Sequence, residues 1–502
     1  MSEVPNPPNR PESDRAGSEP RIGILVVAYN AVSTLARTLD RIPVDFRSRI
    51  AEVLICDDAS DDNTYLLGVG YQQVNTDLPI TVIRHETNLG YGGNQKAGYQ
   101  LAIELDLDII VLLHGDGQYA PELLPAMVAP LERGDCDAVF GSRMMNKGAA
   151  RAGGMPLYKY VGNRILTTIE NRVIGSTLSE FHSGYRAYSV RTLRELDLSA
   201  TSDGFNFDTE IIIALHSRKK KILEIPIPTY YGDEISYVNG LAYARDVITD
   251  VAVYRLATLG FSPGELTQIP AEYALKESEG SSHDTVLALT ADAAPGRVLD
   301  IGCSGGQLSQ LFRSRGHHVT GVDMIEHPET AGRLDVFMQA DLDQELPAGI
   351  GDGYDIVVVA DVLEHLRDPD KLLRQIAGVL DTGGRLLISV PNFGHWYPRL
   401  RAMFGIFDYD QRGILDKTHL RFYTRRSLLR SVKKNGFTVH ELRATGLPID
   451  ALGAKPSLLR RIIVGIDKKL VALRPTLFGY QFVLDVRPVQ PRRSITFARQ
   501  RT

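Results

Sequence analysis

The chain has 502 residues, 43% hydrophobic and 23% charged, with a formal net charge of −5 at pH 7. That length exceeds one ordinary core and predicts two soluble globular domains. The small negative charge leaves no global case for nucleic-acid binding.

Residues 1–20, MSEVPNPPNRPESDRAGSEP, are Pro-rich and polar without an apolar signal-peptide core, and read as a disordered tail. From residue 21 a strand, turn and helix plan repeats: RIGILVVAYN, AEVLICDDASD, ITVIRHETN and DIIVLLHGDG are apolar runs ending in turn chemistry. With helical segments between them they predict a mostly parallel sheet. Ligands bind outside the carboxyl ends of such strands. The polar residues fall there: Tyr29 and Asn30, Asp57 and Asp58, His85 to Asn88, His114 to Gln118.

A second series begins near residue 296 with GRVLDIGCSGG, HHVTGVDMIE, DVFMQADLD, YDIVVVADVLEHL and GGRLLISVPN. Between the two series the strand rhythm is lost and Pro, Gly, Ser and charge accumulate. This predicts a first domain at 21–262, a linker at 263–285, a second domain at 286–490 and a tail at 491–502. No apolar run reaches the ~18 residues of a transmembrane helix. Cys56, Cys136 and Cys303 stand far apart and fit no metal-ligand spacing, which suits unpaired thiols in a reducing compartment.

In the first domain, Asp57 and Asp58 end a buried strand before ASDDNT. A carboxylate there can accept hydrogen bonds from a nucleobase, and capping of the next helix accounts for the same residues. NLGYGGNQKAG is a Gly-rich loop running into a helix, suited to close approach of phosphate. HGDGQY follows, then GSRMM with Arg143. In this order the motifs resemble the inverting GT-A glycosyltransferases of family 2, nearest their polyprenyl-phosphate sugar transferases. The likeness covers roughly 21–260 and continues through SGYRAYS, FNFDTE and EIPIPTYYGDEIS.

The resemblance implies a nucleotide-sugar donor, Mg²⁺ or Mn²⁺, and inversion at the anomeric carbon. It places Tyr29, Asp57 and Asp58 toward the nucleobase, Asp116 and Gln118 on the metal, and Arg143 on the diphosphate or sugar. His114 stands where the family has a further Asp; an imidazole there can ligate Mn²⁺ or bond a phosphate or water. A lipid-phosphate acceptor is largely ionised at neutral pH and needs a cationic cradle, for which Arg186 is the candidate. A glycan hydroxyl needs a base, Asp208 or Glu210, although both also suit a helix N-terminus. The acidic and neutral YYGDEISYVNG departs from the basic loop of the polyprenyl branch.

The second series resembles class I S-adenosylmethionine methyltransferases over about 275–490, with Ser304 where the loop often has Gly. The expected fold is α/β: a GT-A domain followed by a Rossmann-like methyltransferase domain. The likeness implies that Asp300, Gly302 and Gly306 form the cofactor loop, Asp323 binds ribose, Asp341 meets adenine and Asp361 lies near the methionine end. Glu364 and His365 are base candidates, or ordinary residues following the fourth strand.

HWYPRLRAMFGIFDY (395–409) and SLLRRIIVGIDKKLVALRP (457–475) mix apolar and basic residues. Each reads as a membrane-surface contact or as an amphipathic element covering the substrate site; the rule for surface helices favours the second. The expectation is a bifunctional cytoplasmic enzyme, at the inner face of the membrane if its acceptor is a lipid. The rival is a sugar-nucleotide-binding scaffold fused to an active methyltransferase. Sugar, acceptor, methylated atom and oligomeric state are open.

Overall fold

A computed structural model describes residues 19–230, 239–261, 280–448 and 458–489. Most of the expected linker, the terminal tails and most of YYGDEISYVNG lie outside them. The described residues divide into two compact units, one made of 19–230 and 239–255 and the other of 256–261, 280–448 and 458–489.

The first unit is built on a seven-stranded sheet in the order β3-β2-β1-β4-β6-β5-β7. The strands are β1 Ile22–Ala28, β2 Ile50–Asp57, β3 Ile80–Arg84, β4 Ile109–His114, β5 Ala138–Ser142, β6 Arg186–Ser189 and β7 Ile222–Pro226. All neighbours are parallel except β6, which runs antiparallel to both β4 and β5. The apolar runs follow from burial on both faces. Ile24, Val26, Val111 and Leu113 join one core, and Leu25, Val27, Ile110 and Leu112 join the other. The strand period of two sends alternate side chains to opposite layers.

The second unit repeats this logic in the order β10-β9-β8-β11-β12-β14-β13. Its strands are β8 Arg297–Ile301, β9 His318–Asp323, β10 Val336–Gln339, β11 Tyr354–Ala360, β12 Leu380–Pro391, β13 Phe437–Thr445 and β14 Gln481–Pro488. The first five are parallel; β14 inserts antiparallel between β12 and β13. Leu299, Val357 and Ile388 face one core, and Val298, Val358 and Leu387 the other.

Most of SLLRRIIVGIDKKLVALRP forms the helix Leu458–Leu473, with Ile463, Val464, Leu470 and Val471 half-buried. Ile462, Ile466 and Leu473 are exposed, whereas Asp467 is buried and accepts the Leu447 N–H at 3.1 Å. In HWYPRLRAMFGIFDY, Met403, Phe404, Ile406, Phe407 and Tyr409 are likewise exposed. Among the described residues no helix is long and apolar enough to cross a membrane. The three cysteines are free.

Candidate functional site

In the first unit, the carboxyl ends of β4 and β5, the entry to β6 and the start of the helix Phe207–Ser217 bring one cluster together around His114. Its Nε2 lies 3.4 Å from the Tyr91 hydroxyl, which donates to Asp208 Oδ2 at 3.0 Å. On the other side His114 Nδ1 faces Asp116 Oδ2 at 4.0 Å. Burial lowers the His114 pKa, and the nearby charges of Asp116, Asp208, Arg186 and Arg143 act on it in opposing senses. Burial thus favours the neutral ring, the form that ligates metals. Gly184 of SGYRAYS makes room: a Cβ there would lie 2.6 Å from the His114 ring and 2.8 Å from the Tyr91 hydroxyl. Asp116 is half-exposed, and its Oδ1 accepts the Gln118 backbone N–H at 2.9 Å.

Three of the expected ligand-binding residues are engaged by internal partners. Arg186 is 1% exposed. It donates to the backbone oxygens of Ser183, Asp208 and Phe181 at 2.9, 2.9 and 2.7 Å and pairs with Asp208 Oδ1 at 3.3 Å. It is no acceptor cradle, because β6 carries it between β4 and β5, opposite Leu112 and Phe140. Arg143 is committed to Glu180 through Nε and Nη2 at 3.0 and 2.5 Å, with the Glu180 carboxylate also taking the Arg143 N–H at 2.7 Å. Burial pushes the Glu180 carboxyl up, and Arg143 brings it below its ordinary value. Asp57 is fully buried and caps its own turn, accepting the Ser60 hydroxyl and, at 3.3 Å, the Ser60 N–H.

Asp58 organises the Gly-rich loop. Its two oxygens accept the Leu89 and Gly90 N–H groups at 2.7 and 3.1 Å, and burial pushes its pKa up. Tyr29, 39% exposed, is the open surface at the end of β1. Glu210 sits apart from Asp208: it accepts the Ser202 N–H at 2.6 Å, and burial raises its pKa to about 7. Tyr91 and Glu180 went unread in the sequence. Tyr91 stood inside NLGYGGN, but nothing local marked its reach to Asp208.

In the second unit, Gly302 and Gly306 adopt φ of 75° and 76°, and Ser304 takes the same left-handed region at 47°. The Ser304 N–H donates to Asp323 Oδ2 at 2.8 Å, so the first and second strand ends are tied together. Asp300 is buried under the loop, accepts the Ser309 hydroxyl at 2.5 Å, and is raised by burial to about 6. A small cavity beside it is lined by His283, Gly302, Cys303 and Ala360 among others. Asp341 is exposed and accepts the Asp343 N–H at 3.0 Å. Asp361, with φ of 58°, accepts Ser389 Oγ at 2.6 Å and Gln481 Nε2 at 2.9 Å. Glu364 is buried just beyond β11, and His365 Nδ1 lies 3.1 Å from Thr418 Oγ1.

Two α/β units, each with polar groups gathered at the carboxyl ends of its sheet, have the layout of nucleotide- and cofactor-binding transferase domains. Residues 23–197 match the model of glycosyl transferase family 2, and residues 274–442 match that of a methyltransferase domain. The chain belongs to glycosyltransferase family 2 through its first unit and carries a class I methyltransferase domain as its second. It is 30% identical over 210 residues to an undecaprenyl-phosphate mannosyltransferase of Micrococcus luteus, covering 41% of this chain and 82% of that protein. It is 29% identical over 222 residues to a UDP-N-acetylglucosamine–dolichyl-phosphate N-acetylglucosaminyltransferase of Methanococcus voltae, covering 42% and 86%. The second unit is 42% identical over 103 residues to a ubiquinone biosynthesis O-methyltransferase of Aeromonas salmonicida, covering 19% of this chain and 43% of that protein. The chain thus spans less than half of that methyltransferase.

Proposed function

We propose that the first unit transfers a sugar, with inversion, from a nucleotide-sugar donor to a polyprenyl-type lipid phosphate. On this reading the second unit methylates an acceptor of the same glycan or glycolipid pathway. The observation that carries the first half is the pairing of Asp116 with His114, facing each other at 4.0 Å at the end of a buried strand. One carboxylate oxygen and one imidazole nitrogen fit a divalent cation of the Mn²⁺ type, with Gln118 able to add an oxygen. Such a cation, when bound, offsets negative charge on the departing diphosphate. Asp116 and His114 would hold it. Asp58 shapes the glycine loop for the phosphates, and Tyr29 offers a face for the nucleobase.

The relatives named for undecaprenyl and dolichyl phosphates support a lipid-phosphate acceptor over a glycan hydroxyl. A phosphate monoester is ionised at neutral pH, so the acceptor needs no strong base. Asp208, held by Tyr91 and Arg186, then orients rather than deprotonates. The exposed apolar residues of 403–409 and of the helix Leu458–Leu473 support work at a membrane surface.

For the second unit we propose S-adenosylmethionine over the Gly302–Gly306 loop, its ribose on Asp323. Oxygens that each accept one backbone N–H keep lone pairs for hydroxyl donors. Positioning of donor and acceptor supplies most of the acceleration in such a displacement.

The test uses the purified full chain, UDP- and GDP-sugars, Mn²⁺ and short polyprenyl phosphates. Nucleoside diphosphate release that requires both lipid and metal supports the reading. Donor binding without release in every combination favours the binding-only rival, for which the replacement of a carboxylate by His114 is the specific observation.

A further inference from the structure

Fifty-odd residues separate His365 from His419, yet Glu364, His365 and His419 each present a ligand atom within 4.8 Å of the others. Two backbone bonds bring them together: the N–H groups of Leu420 and Arg421 both donate to the Glu364 carbonyl, at 2.8 and 2.9 Å. The imidazole rings meet edge to face, with centroids 4.8 Å apart.

The orientation of the rings is informative. His419 Nδ1 lies 3.2 Å from the Ile414 carbonyl, and His365 Nδ1 lies 3.3 Å from the Thr418 carbonyl. A carbonyl only accepts, so in each neutral ring Nδ1 carries the proton and Nε2 carries the lone pair. Anchoring a histidine by one ring nitrogen to a backbone carbonyl is the usual arrangement around a metal ligand. Glu364 and His419 are both buried, so the carboxylate charge and one imidazole are withdrawn from bulk water.

We infer that Glu364, His365 and His419 form a divalent-cation site, with Nε2 of both histidines and one Glu364 oxygen as ligands. Two nitrogens and one carboxylate suit Zn²⁺, Co²⁺ or Mn²⁺ better than Mg²⁺, which prefers oxygen. Metal–ligand bonds of ~2.0–2.2 Å place tetrahedral donors roughly 3.4 Å apart, a spacing that side chains already offering ligand atoms within 4.8 Å of one another reach by small side-chain adjustments. Three protein ligands leave a position for a water or an acceptor oxygen. The site lies just beyond the carboxyl end of β11, in the interior of the second sheet's strand order. It depends on neither the sugar-transfer reading nor the cofactor assignment.

The test is made on the full chain bearing Asp116→Ala, which removes the cation ligand proposed in the first unit. After chelation and dialysis, Co²⁺ and Zn²⁺ are titrated by calorimetry and, for Co²⁺, by visible absorption. One equivalent should bind, with bands of nitrogen-ligated Co²⁺. Adding His419→Gln should weaken binding ~100-fold or more while S-adenosylhomocysteine binding persists. His365→Gln should give the same loss and serves if His419→Gln fails to fold. The inference is overturned if the Asp116→Ala chain binds no Co²⁺, or if both histidine substitutions leave its affinity unchanged. A metal requirement of sugar transfer that survives His419→Gln but not Asp116→Ala bears on the first unit alone.

Discussion

Arg186 and Asp208 form a buried ion pair, 3.3 Å apart, in which all three guanidinium nitrogens also donate to backbone carbonyls. The pair joins β6 to the helix Phe207–Ser217 and so sets Asp208 beside Tyr91 and His114. Removing one partner of a buried pair strands the other charge. Arg186→Met should therefore lower the stability of the first unit by ~3–5 kcal/mol. Urea denaturation of the full chain, followed by donor-binding assays, reads this. An unchanged midpoint would show that the pair contributes nothing.

Asp116→Ala should remove metal-dependent donor binding, and His114→Ala should weaken it less. His114→Asp should shift preference from Mn²⁺ toward Mg²⁺, since a hard cation prefers carboxylate oxygen to imidazole nitrogen. Nucleoside diphosphate release by the three variants in each metal decides. If Asp116→Ala equals wild type in both, the cation assignment in the first unit is wrong.

Asp323 both holds the Ser304 N–H at 2.8 Å and is assigned to ribose. Asp323→Ala should lose both, at roughly 1.5–3 kcal/mol per charge-assisted bond. Calorimetry with S-adenosylhomocysteine should show an affinity drop of at least ~10-fold, with nucleotide-sugar binding intact. Equal affinity sinks the ribose assignment.

Glu210 titrates near 7 in the folded chain against an ordinary 4.5, because burial disfavours its charge. Between those values the folded state holds a proton that the unfolded state has released, so this group's contribution to stability falls as pH rises. Glu210→Gln should flatten the decline in Tm over that window and leave the first unit more stable than wild type above it. Parallel melting curves for the two proteins from pH 5 to 8 would argue that Glu210 is ionised throughout.

Phe261 belongs with the second unit, where its ring lies 4.8 Å from Tyr397 and 6.0 Å from Tyr480, centroid to centroid. Both units are expected to fold alone. A fragment starting at Glu277 should nevertheless melt below one starting at Leu256, since each aromatic pair is worth roughly 0.5–1.5 kcal/mol. Equal melting temperatures would assign Phe261 no part in that unit.

Much of the architecture was legible in the chain. Apolar runs such as IIVLL and IVVVA (residues 109–113 and 356–360) could only be buried strands, and the Gly, Asp and Asn residues after them marked the ligand edge. Local order along the chain also revealed both family likenesses, because a strand end and its loop are contiguous. Partnerships were not legible, since they join residues far apart in sequence. Arg186 looked like an available cation until β6, inserted antiparallel, placed it inside the sheet opposite Leu112. Arg143 looked free for a diphosphate until Glu180, from a segment with no motif, took its guanidinium. Asp57 and Asp58 were adjacent and alike, yet one is sealed under its own turn while the other ties down the glycine loop. His419 had no signal beside it, and only the backbone bonds from Leu420 and Arg421 to Glu364 bring it to His365. Hydrophobic periodicity is a local property and can be read from neighbours; the satisfaction of buried charge is settled by whichever distant group the fold delivers.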